Sequence, residues 1–525
     1  MHLRVRDFFM PKHTTSIIQS MTHHGIDCVP VEIEVHAGSG LPSVIIVGLP
    51  DAAVSESRDR VRSGIVNSGF TFPRTKLTIN LAPAHIKKSG STFDLPIALG
   101  ILRVQDLVPK KENCVIVGEL ALDGRTRPVS GALIYAHAAL QAGQTIIVPT
   151  ANSAECALLN SDRVLFAETL QDVVSYFHGT ASLPTAAEVY QQMSQPAIPI
   201  TASYDDILGQ ESAKRAFLIA AAGAHNIILS GPPGAGKTIL AKALPSILPP
   251  MSDTEIVETT KIHSIMNPGA ASVRVRPFRS PHHLASSPAI LGGGAHLRPG
   301  EISLAHHGVL FLDEFPEFRR DIIEALREPL ESGVIHLTRA VGSVLYPADC
   351  MVVAAHNPCP CGTKNGHCVC SSQSLDRYHR KLSGPIMDRF DIKLRVQSIA
   401  PEELVAGQKR TMPDQSTEQK EPVGKGETEI QYSTAVMRDR VIRVREIQAQ
   451  RGMLNSRATV QQLQDRLTNA KTTDMLDRAL KSNLLSMRGY TKALRLAATI
   501  ADIAESKTIE LPHIAEAFRL TVRQE

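Results

Sequence analysis

The central motif of this chain is Gly231-Pro232-Pro233-Gly234-Ala235-Gly236-Lys237-Thr238. It follows a strand-like apolar run, residues 226–230, and precedes a helix-like run, residues 239–244. A glycine-rich loop in this context turns successive backbone N–H groups towards phosphates and is typical of a P-loop. We expect Lys237 to reach the β and γ phosphates of ATP and the Thr238 hydroxyl to ligate Mg²⁺. The motif therefore predicts a nucleotide-binding α/β domain.

Two carboxylates end a second apolar run, Val309-Leu310-Phe311-Leu312-Asp313-Glu314. The run has the length and composition of a buried strand. We expect Asp313 to hold Mg²⁺ and Glu314 to polarise the attacking water, because phosphoryl transfer depends on positioning and charge stabilisation. A lone run that ends in two acids would be weak evidence. Together with the P-loop, it predicts ATP hydrolysis.

The composition indicates a soluble protein. Of the 525 residues, 43% are hydrophobic and 21% are charged, and the formal net charge is +4. The chain has no uninterrupted apolar stretch of membrane-spanning length, and its first residues match no targeting class. We therefore expect a cytoplasmic protein of about three domains with no membrane partner. The small basic excess permits DNA or RNA as a partner but does not require one.

Sequence patterns divide the chain into six segments. A stretch rich in Pro, Ala, Ser and Gln predicts a linker, and a later stretch with almost no large apolar side chains predicts a flexible loop. Strands alternate with helices around the P-loop, as a parallel sheet requires. The predicted segments are an N-terminal extension (1–24), an α/β domain (25–180), a linker (181–204), the P-loop α/β core (205–405), the flexible loop (406–432) and an α-helical lid (433–525).

Three more side chains are candidates for the ATP chemistry. Asn357 follows an apolar strand, residues 351–355, and would orient the attacking water in the role called sensor 1. Arg389 lies near the end of a short helix and would reach a neighbouring subunit as an arginine finger. Arg488, in the helical segment, would close over the γ-phosphate. The alternatives are a turn-forming Asn before a proline and two surface salt bridges.

Four of the eight cysteines cluster within twelve residues, at Cys359, Cys361, Cys368 and Cys370. Four thiolates so close together suit one tetrahedral, structural Zn²⁺ in a reducing compartment. The one-residue spacings are tighter than in the usual zinc knuckle, so a vestigial loop and a redox pair are open alternatives. His367 is a substitute ligand. The other four cysteines are scattered in apolar contexts, and we expect them to be reduced core residues.

The order of these motifs resembles the ComM/YifB family of magnesium-chelatase-like AAA+ ATPases from about Gly25 to the C-terminus. The resemblance rests on passages throughout the chain: Gly40-Leu41-Pro42, Val47-Gly48-Leu49-Pro50-Asp51, Asn80-Leu81-Ala82-Pro83, Pro299-Gly300-Glu301-Ile302-Ser303-Leu304-Ala305 and Asn357-Pro358-Cys359-Pro360-Cys361-Gly362. It implies an AAA+ core that uses ATP and Mg²⁺, a hairpin before sensor 1 within residues 333–347, and homo-hexameric rings with ATP bound between subunits.

The resemblance also implies a function on DNA, because studied members of the family drive branch migration during natural transformation. The implied partners are branched and single-stranded DNA, together with recombination proteins. Arg339 near the hairpin tip supplies a donor for DNA phosphate contacts, and five residues upstream supply more: Arg274, Arg276, Arg279, His282 and His283. For these basic side chains, the alternative is that they are only solvated. The alternative is a magnesium-chelatase-type or protein-remodelling ATPase, although the chain has no long acidic segment that would dock a chelatase partner.

Residues 25–180 are similar to the Lon protease domain, a fold shared with the second domain of ribosomal protein S5. The likeness is clearest in Val117-Gly118-Glu119-Leu120-Ala121-Leu122-Asp123-Gly124-Arg125. However, Phe93-Asp94-Leu95-Pro96 stands where Lon-like sequences carry the nucleophilic Ser, and Gly131-Ala132-Leu133-Ile134-Tyr135 lacks the partner Lys. Covalent catalysis needs a base-activated nucleophile. We therefore expect a DNA-binding or assembly scaffold, with a peptidase that uses a different dyad as the alternative.

Overall fold

The computed structural model describes residues 15–88, 90–193, 202–295, 297–339, 342–362, 368–382, 384–398, 432–467, 470–482 and 485–521. Its strands are β1 (Thr15–His24), β2 (Asp27–Gly38), β3 (Ser43–Val47), β4 (Lys76–Ala82), β5 (Cys114–Ile116), β6 (Glu119–Leu120), β7 (Thr126–Arg127), β8 (Thr145–Pro149), β9 (Val164–Ala167), β10 (Ile227–Ser230), β11 (Phe278–Arg279), β12 (Gly292–Gly293), β13 (Arg298–Pro299), β14 (Val309–Leu312), β15 (Val334–Arg339), β16 (Gly342–Pro347), β17 (Met351–His356) and β18 (Ile392–Arg395).

Its α-helices are α1 (Ala52–Asn67), α2 (Asp94–Val104), α3 (Ala132–Gln141), α4 (Ser153–Cys156), α5 (Leu170–His178), α6 (Ala186–Gln192), α7 (Glu211–Gly223), α8 (Lys237–Ala243), α9 (Asp253–Met266), α10 (Ser287–Leu291), α11 (Glu301–Leu304), α12 (Arg320–Ala325), α13 (Arg327–Ser332), α14 (Ser372–Lys381), α15 (Gly384–Met387), α16 (Thr434–Gln450), α17 (Val460–Gln464), α18 (Ala470–Lys481), α19 (Met487–Ile503) and α20 (Leu511–Thr521). The described parts of the chain form two compact units, residues 1–196 with 253–274 and residues 197–252 with 275–525.

The first unit is built on one mixed sheet with the strand order β3-β4-β2-β1-β5-β8-β9. Strands β1 and β2 form a long antiparallel hairpin, whereas β1, β5, β8 and β9 run parallel. Helix α2 packs on β1 and β2 and is buried along nearly its whole length because almost all of its side chains are apolar. The predicted α/β character is confirmed. The likeness to the Lon domain stays a prediction.

Residues 15–24 differ from the predicted N-terminal extension, because they form β1 between β2 and β5. Two serines on the buried face of this strand bond to neighbouring elements. Ser16 Oγ donates to the carbonyl oxygen of Gly100 and Ser20 Oγ to that of Ile116, each over 2.8 Å. Polar residues on the buried face interrupt the hydrophobic alternation that predicts a strand. Residues 1–14 lie outside the described part of the chain.

The predicted linker, residues 181–204, also differs from the structure. Part of it forms α6, which begins with a reciprocal capping box between Thr185 and Glu188. Leu183 and Ala186 are buried in the hydrophobic cores of the first unit. Helix α9 belongs to the first unit as well, although its residues lie within the predicted P-loop core. The first unit therefore takes residues from both sides of the P-loop.

The second unit contains a sheet with the order β11-β14-β17-β10-β18, in which every neighbouring pair of strands is parallel. Strands β14 and β17 are fully buried, which agrees with their continuous apolar sequences. The predicted parallel sheet is confirmed. Because parallel strands end at the same edge of a sheet, the residues that follow β10, β14 and β17 meet there.

The C-terminal segment is helical, as predicted. Helices α16 and α19 pack on α7, and Leu494 and Ile500 of α19 belong to the same hydrophobic core as β10. Its role as a lid stays a prediction. Strands β15 and β16 form an antiparallel hairpin at the predicted position. The predicted flexible loop lies outside the described residues except for Tyr432, and no described helix has the length and apolar character needed to span a membrane.

Candidate nucleotide site

The P-loop connects β10 to α8 at the carboxyl edge of the parallel sheet. Gly236 immediately precedes α8 and has φ +86°, a left-handed conformation that glycine adopts without the Cβ clash of other residues. Helix α8 then begins at Lys237. The loop and the first turn of the helix therefore lie where residues following β14 and β17 also arrive.

Lys237 folds back over its own loop. Its Nζ donates to the carbonyl oxygens of Gly231, over 2.6 Å, and Pro232, over 3.0 Å. It also lies 3.1 Å from Oδ1 of Asn357. Burial lowers the pKa of Lys237, while the nearby Asp313 carboxylate opposes that effect. The ammonium group is thus held by neutral oxygens that an anionic phosphate would outcompete.

The two predicted magnesium ligands are in direct contact. Thr238 Oγ1 donates to Oδ2 of Asp313 over 2.9 Å, and the other carboxylate oxygen of Asp313 accepts from the backbone N–H of Glu314, also over 2.9 Å. A hydroxyl and a carboxylate side by side are the hard oxygen ligands that Mg²⁺ uses together with water and phosphate. The donor set therefore fits this ion.

The side chain of Glu314 contacts a histidine that is distant in sequence. Its Oε2 lies 3.0 Å from Nδ1 of His283, which the sequence suggests as a donor to DNA phosphates. The pairing follows from the sheet, because β11 lies beside β14 and both strands lead to the same edge. Glu314 also has φ +51° in the left-handed region, a conformation that is rare outside glycine and clusters at functional sites.

Asn357 follows β17 and is held from two sides. Its side-chain oxygen contacts Lys237, and its carbonyl oxygen accepts a hydrogen bond of 2.9 Å from the hydroxyl of Tyr378 on α14 and lies 2.7 Å from Nδ1 of His356. The sequence-predicted residues Lys237, Thr238, Asp313, Glu314 and Asn357 therefore come together at one sheet edge. Tyr378 was missed, because a tyrosine on an amphipathic helix carries no distinguishing signal.

The two candidate arginines meet elsewhere in the second unit. Arg389 NH2 lies 3.0 Å from Oε1 of Glu331 on α13, and Arg488 forms an ion pair with the same oxygen. They line a cavity of about 710 Å³ together with Lys492 and Arg495. None of the P-loop residues 231–238 is part of that described lining. Arg488 therefore contacts Glu331 in the described chain, and its closure over a γ-phosphate stays a prediction.

The four clustered cysteines have the geometry of a metal site. All four Sγ atoms lie within 4.8 Å of one another. The Sγ atoms of Cys359 and Cys361 are 3.3 Å apart, and those of Cys361 and Cys368 are 3.7 Å apart. A tetrahedral zinc ion with Zn–S bonds of about 2.3 Å spaces its sulfurs about 3.8 Å apart, so the set, completed by Cys370, fits one ion. The alternative ligand His367 lies outside the described residues.

The two candidate DNA contacts differ in their surroundings. Arg339 ends β15 and is exposed. Arg279, by contrast, makes a two-pronged ion pair with Glu301, at 2.6 and 2.7 Å. Arg279 would have to exchange this bidentate carboxylate for a phosphate, whereas Arg339 has its side chain exposed. Both DNA contacts stay predictions, and Arg339 is the more accessible candidate.

This fold and site define a magnesium-chelatase-like protein of the AAA+ type. Three family profiles match successive parts of the chain. "Subunit ChlI of Mg-chelatase" matches residues 33–152, "Magnesium chelatase, subunit ChlI" matches residues 203–404, and "Magnesium chelatase, subunit ChlI C-terminal" matches residues 431–521. The second of these profiles contains all the residues that converge at the sheet edge.

The chain belongs to the ComM/YifB family. It is 42% identical over 509 residues to YifB of Salmonella typhimurium, with 96% of each chain covered. It is 41% identical over 518 residues to the competence protein ComM of Haemophilus influenzae, covering 97% of this chain and 98% of ComM. The magnesium-chelatase 38 kDa subunit of Rhodobacter capsulatus is 27% identical over 225 residues, which cover 39% of this chain and 61% of the subunit.

Proposed function

We propose that this protein is an ATPase that hydrolyses ATP with Lys237, Thr238, Asp313, Glu314 and Asn357, and that six copies form a ring that drives branch migration of DNA. One observation carries the ATPase assignment. Five side chains from three separate parts of the sequence, each with a distinct role in phosphoryl transfer, converge at the carboxyl edge of the parallel sheet.

In this proposal, the phosphates of ATP replace the loop carbonyls as partners of Lys237. Thr238 and Asp313 hold Mg²⁺, which neutralises developing phosphate charge when bound. Glu314 exchanges His283 for the attacking water and accepts a proton from it, while Asn357 holds the water in line. Each step uses a side chain that already lies at the sheet edge.

The ring assignment rests on where the arginines lie. A P-loop ATPase needs delocalised positive charge at the transferred phosphate, and Arg389 and Arg488 are paired with Glu331 rather than with the P-loop. We propose that both arginines act on ATP bound to a neighbouring copy of the chain. Each subunit would then complete the site of the next one around a hexamer.

The DNA assignment is supported by the relative named a competence protein, which is similar over nearly the whole chain, and by the exposed Arg339 at the end of β15. We propose branched and single-stranded DNA as the substrate, recombination proteins as further partners, and the cytoplasm as the location. The first unit serves as a DNA-binding or assembly scaffold and not as a protease. The four-cysteine cluster holds one structural Zn²⁺.

The first experiment compares Lys237→Ala with Glu314→Gln. The lysine variant should lose ATP binding, because it removes the phosphate contact. The glutamine variant should bind ATP normally and hydrolyse it about 10²–10⁴ times more slowly, because only water activation is lost. Nucleotide titration and phosphate release measure the two effects. An active Glu314→Gln protein would contradict the assignment.

The second experiment tests the DNA function. The wild type should convert a synthetic three- or four-strand junction in an ATP-dependent way, and Glu314→Gln should fail. A magnesium-chelatase role is the alternative, and the matches to chelatase profiles favour it. Wild-type protein that binds no branched or single-stranded DNA, yet stimulates Mg²⁺ insertion into a porphyrin with chelatase partner subunits, would establish that alternative.

A further inference from the structure

The four-cysteine cluster begins immediately beside the nucleotide site. Strand β17 ends at His356, Asn357 follows, and Cys359 is the second residue after it. Cys359 is only 3% exposed, whereas Cys361 and Cys368 are exposed. The cluster therefore extends from the interior next to Asn357 to the surface of the second unit.

The loop that carries the cysteines packs against the P-loop at Gly362. Gly362 has φ +74°, and a Cβ atom added to it would lie 2.8 Å from Cγ and 3.1 Å from Cδ of Pro233. That separation leaves no room for a methyl group. Because Pro233 lies within the phosphate-binding motif, any displacement of the Gly362 turn changes the support of the P-loop.

The C-terminal end of the cluster, at Cys370, is also connected to Asn357. Cys370 is followed directly by Ser371, whose side chain caps α14. Tyr378 of α14 is 7% exposed and donates its hydroxyl hydrogen to the carbonyl oxygen of Asn357 over 2.9 Å. Two connections, which we call arms, therefore join the cluster to Asn357. One runs along the chain from Cys359, and the other runs from Cys370 through α14.

The sequence of this loop offers few apolar side chains to bury. The sequence from Cys359 to Cys370 contains one large apolar side chain other than its cysteines, Val369, and it is 85% exposed. A short polar loop of this kind needs another source of stability to keep a fixed shape. Metal binding supplies one, because the free energy of ligation adds directly to that of folding.

We propose that a Zn²⁺ ion bound by Cys359, Cys361, Cys368 and Cys370 positions the catalytic machinery, by fixing the turn that supports Pro233 and the two arms that hold Asn357. This inference rests on the proposed ATPase function for the site it acts upon. The cysteines are positioning residues and touch no substrate. Loss of the metal should weaken nucleotide binding through Pro233 and slow turnover through Asn357.

The first test compares Cys361→Ser with Cys28→Ser, a matched change in the first unit. Wild type and Cys28→Ser should contain about one Zn per chain, and Cys361→Ser less than about 0.2. Supporting groups of this kind typically alter activity about tenfold or more, so Cys361→Ser should bind a fluorescent ATP analogue and hydrolyse ATP correspondingly less well.

Circular dichroism and thermal melting establish that each variant is folded. Wild-type protein without zinc, or a zinc-free variant with normal binding and turnover, would overturn the inference.

The second test keeps all four thiols. Tyr378→Phe removes only the hydroxyl that ties α14 to Asn357 and leaves the contact of His356 with the same carbonyl oxygen. It should therefore retain zinc, leave KM within about twofold and lower kcat roughly tenfold. Tyr432→Phe, elsewhere in the second unit, should change neither constant. Normal kcat in Tyr378→Phe would overturn the proposed connection. If the wild type itself hydrolyses no ATP, the proposed function fails instead, and zinc content together with the melting temperature of Cys361→Ser still tests the metal site.

Discussion

Lys492 donates a hydrogen bond of 2.9 Å to the carbonyl oxygen of Phe390, and the same ammonium group also donates to the carbonyl oxygen of Asp388. Arg389 lies between these two residues, so a lysine of α19 holds the backbone on both sides of the candidate arginine finger. Burial lowers the pKa of Lys492 to about 8, while Asp391, 3.9 Å away, opposes the shift. The C-terminal helical segment is therefore directly attached to the residue that we propose acts on the neighbouring subunit.

Replacing Lys492 by Met should slow ATP hydrolysis without weakening ATP binding. The change keeps most of the side-chain volume but removes the hydrogen bonds that place Arg389. Because an arginine finger contributes about 10³–10⁵ to the rate, its misplacement should lower kcat at least tenfold. Steady-state hydrolysis and nucleotide titration separate the two effects. The exposed Lys507→Met is the control, and a normal kcat in Lys492→Met would show that Arg389 needs no such support.

Glu331→Gln should increase the rate of ATP hydrolysis at protein concentrations too low to assemble all subunits into rings. In the single chain, the Glu331 carboxylate binds both Arg389 and Arg488, and these ion pairs must break before the arginines reach a neighbour. The groups are partly exposed, so each pair contributes about 0.2–1 kcal/mol and the gain should be about fivefold at most for each pair that breaks. ATPase rates across a protein dilution series measure it. Glu328→Gln, on the same helix, is the control, and reduced hydrolysis in Glu331→Gln would mean that the carboxylate orients the arginines productively.

Arg339→Ala should weaken DNA binding to the same extent for all sequences. Phosphate contacts carry no sequence information, and the loss of one reduces the salt dependence of log K by about one unit. Hydrolysis of ATP without DNA should be unchanged. Binding titrations at several salt concentrations test this, with Arg320→Ala, a 92% exposed arginine in a helical ion pair, as control. An unchanged salt dependence of DNA binding in Arg339→Ala would mean that Arg339 makes no phosphate contact.

Glu155 makes the stability of the first unit depend on pH. Its Oε1 accepts hydrogen bonds from Asn152, over 2.6 Å, and from the backbone of Gly269, over 3.4 Å, and the side chain is buried. Burial raises the pKa of Glu155 to about 7. The folded state therefore binds this proton more tightly than the unfolded state, and stability falls as pH rises from about 4.5 to about 7.

Glu155→Gln should abolish this dependence, because glutamine stays neutral. The variant and wild type should melt at similar temperatures at pH 4.5. At pH 8 the variant should be more stable by about 3 kcal/mol, since the wild type must then bury a charge. Thermal melting at the two pH values measures the difference. The exposed Glu168→Gln is the matched control, and equal melting of Glu155→Gln and wild type at pH 8 would contradict the raised pKa.

The elements of the candidate nucleotide site were predictable from the sequence because their signals are local. The P-loop, the apolar run before Asp313 and the run before Asn357 each combine a strand pattern with a polar residue at its end, and parallel pairing then brings these ends together. Strand β1 was missed because Ser16 and Ser20 occupy its buried face, where hydrogen bonds to carbonyl groups replace apolar packing. These hydrogen-bond partners lie far away in the sequence, so the strand cannot be recognised from its own residues.

The partners of the predicted residues were not predictable in the same way. Glu331 is one glutamate among many, and only the fold brings it to Arg389 and Arg488. His283 was considered a DNA contact because it lies in a basic stretch, whereas the pairing of β11 with β14 brings it to Glu314. Helix α6 had a local capping signal in Thr185 and Glu188, but the surrounding composition indicated a linker.

In the proposed ring, each ATP site is completed by arginines from a neighbouring subunit, and mixing two inactive variants tests this sharing of sites. Arg389→Ala should bind ATP and hydrolyse it slowly, and Lys237→Ala should not bind ATP but keeps its arginines. When the two are mixed under conditions where subunits exchange, sites that combine an intact P-loop with an intact Arg389 should form and hydrolysis should recover in part. Mixed rings that form without any recovery would contradict a shared site.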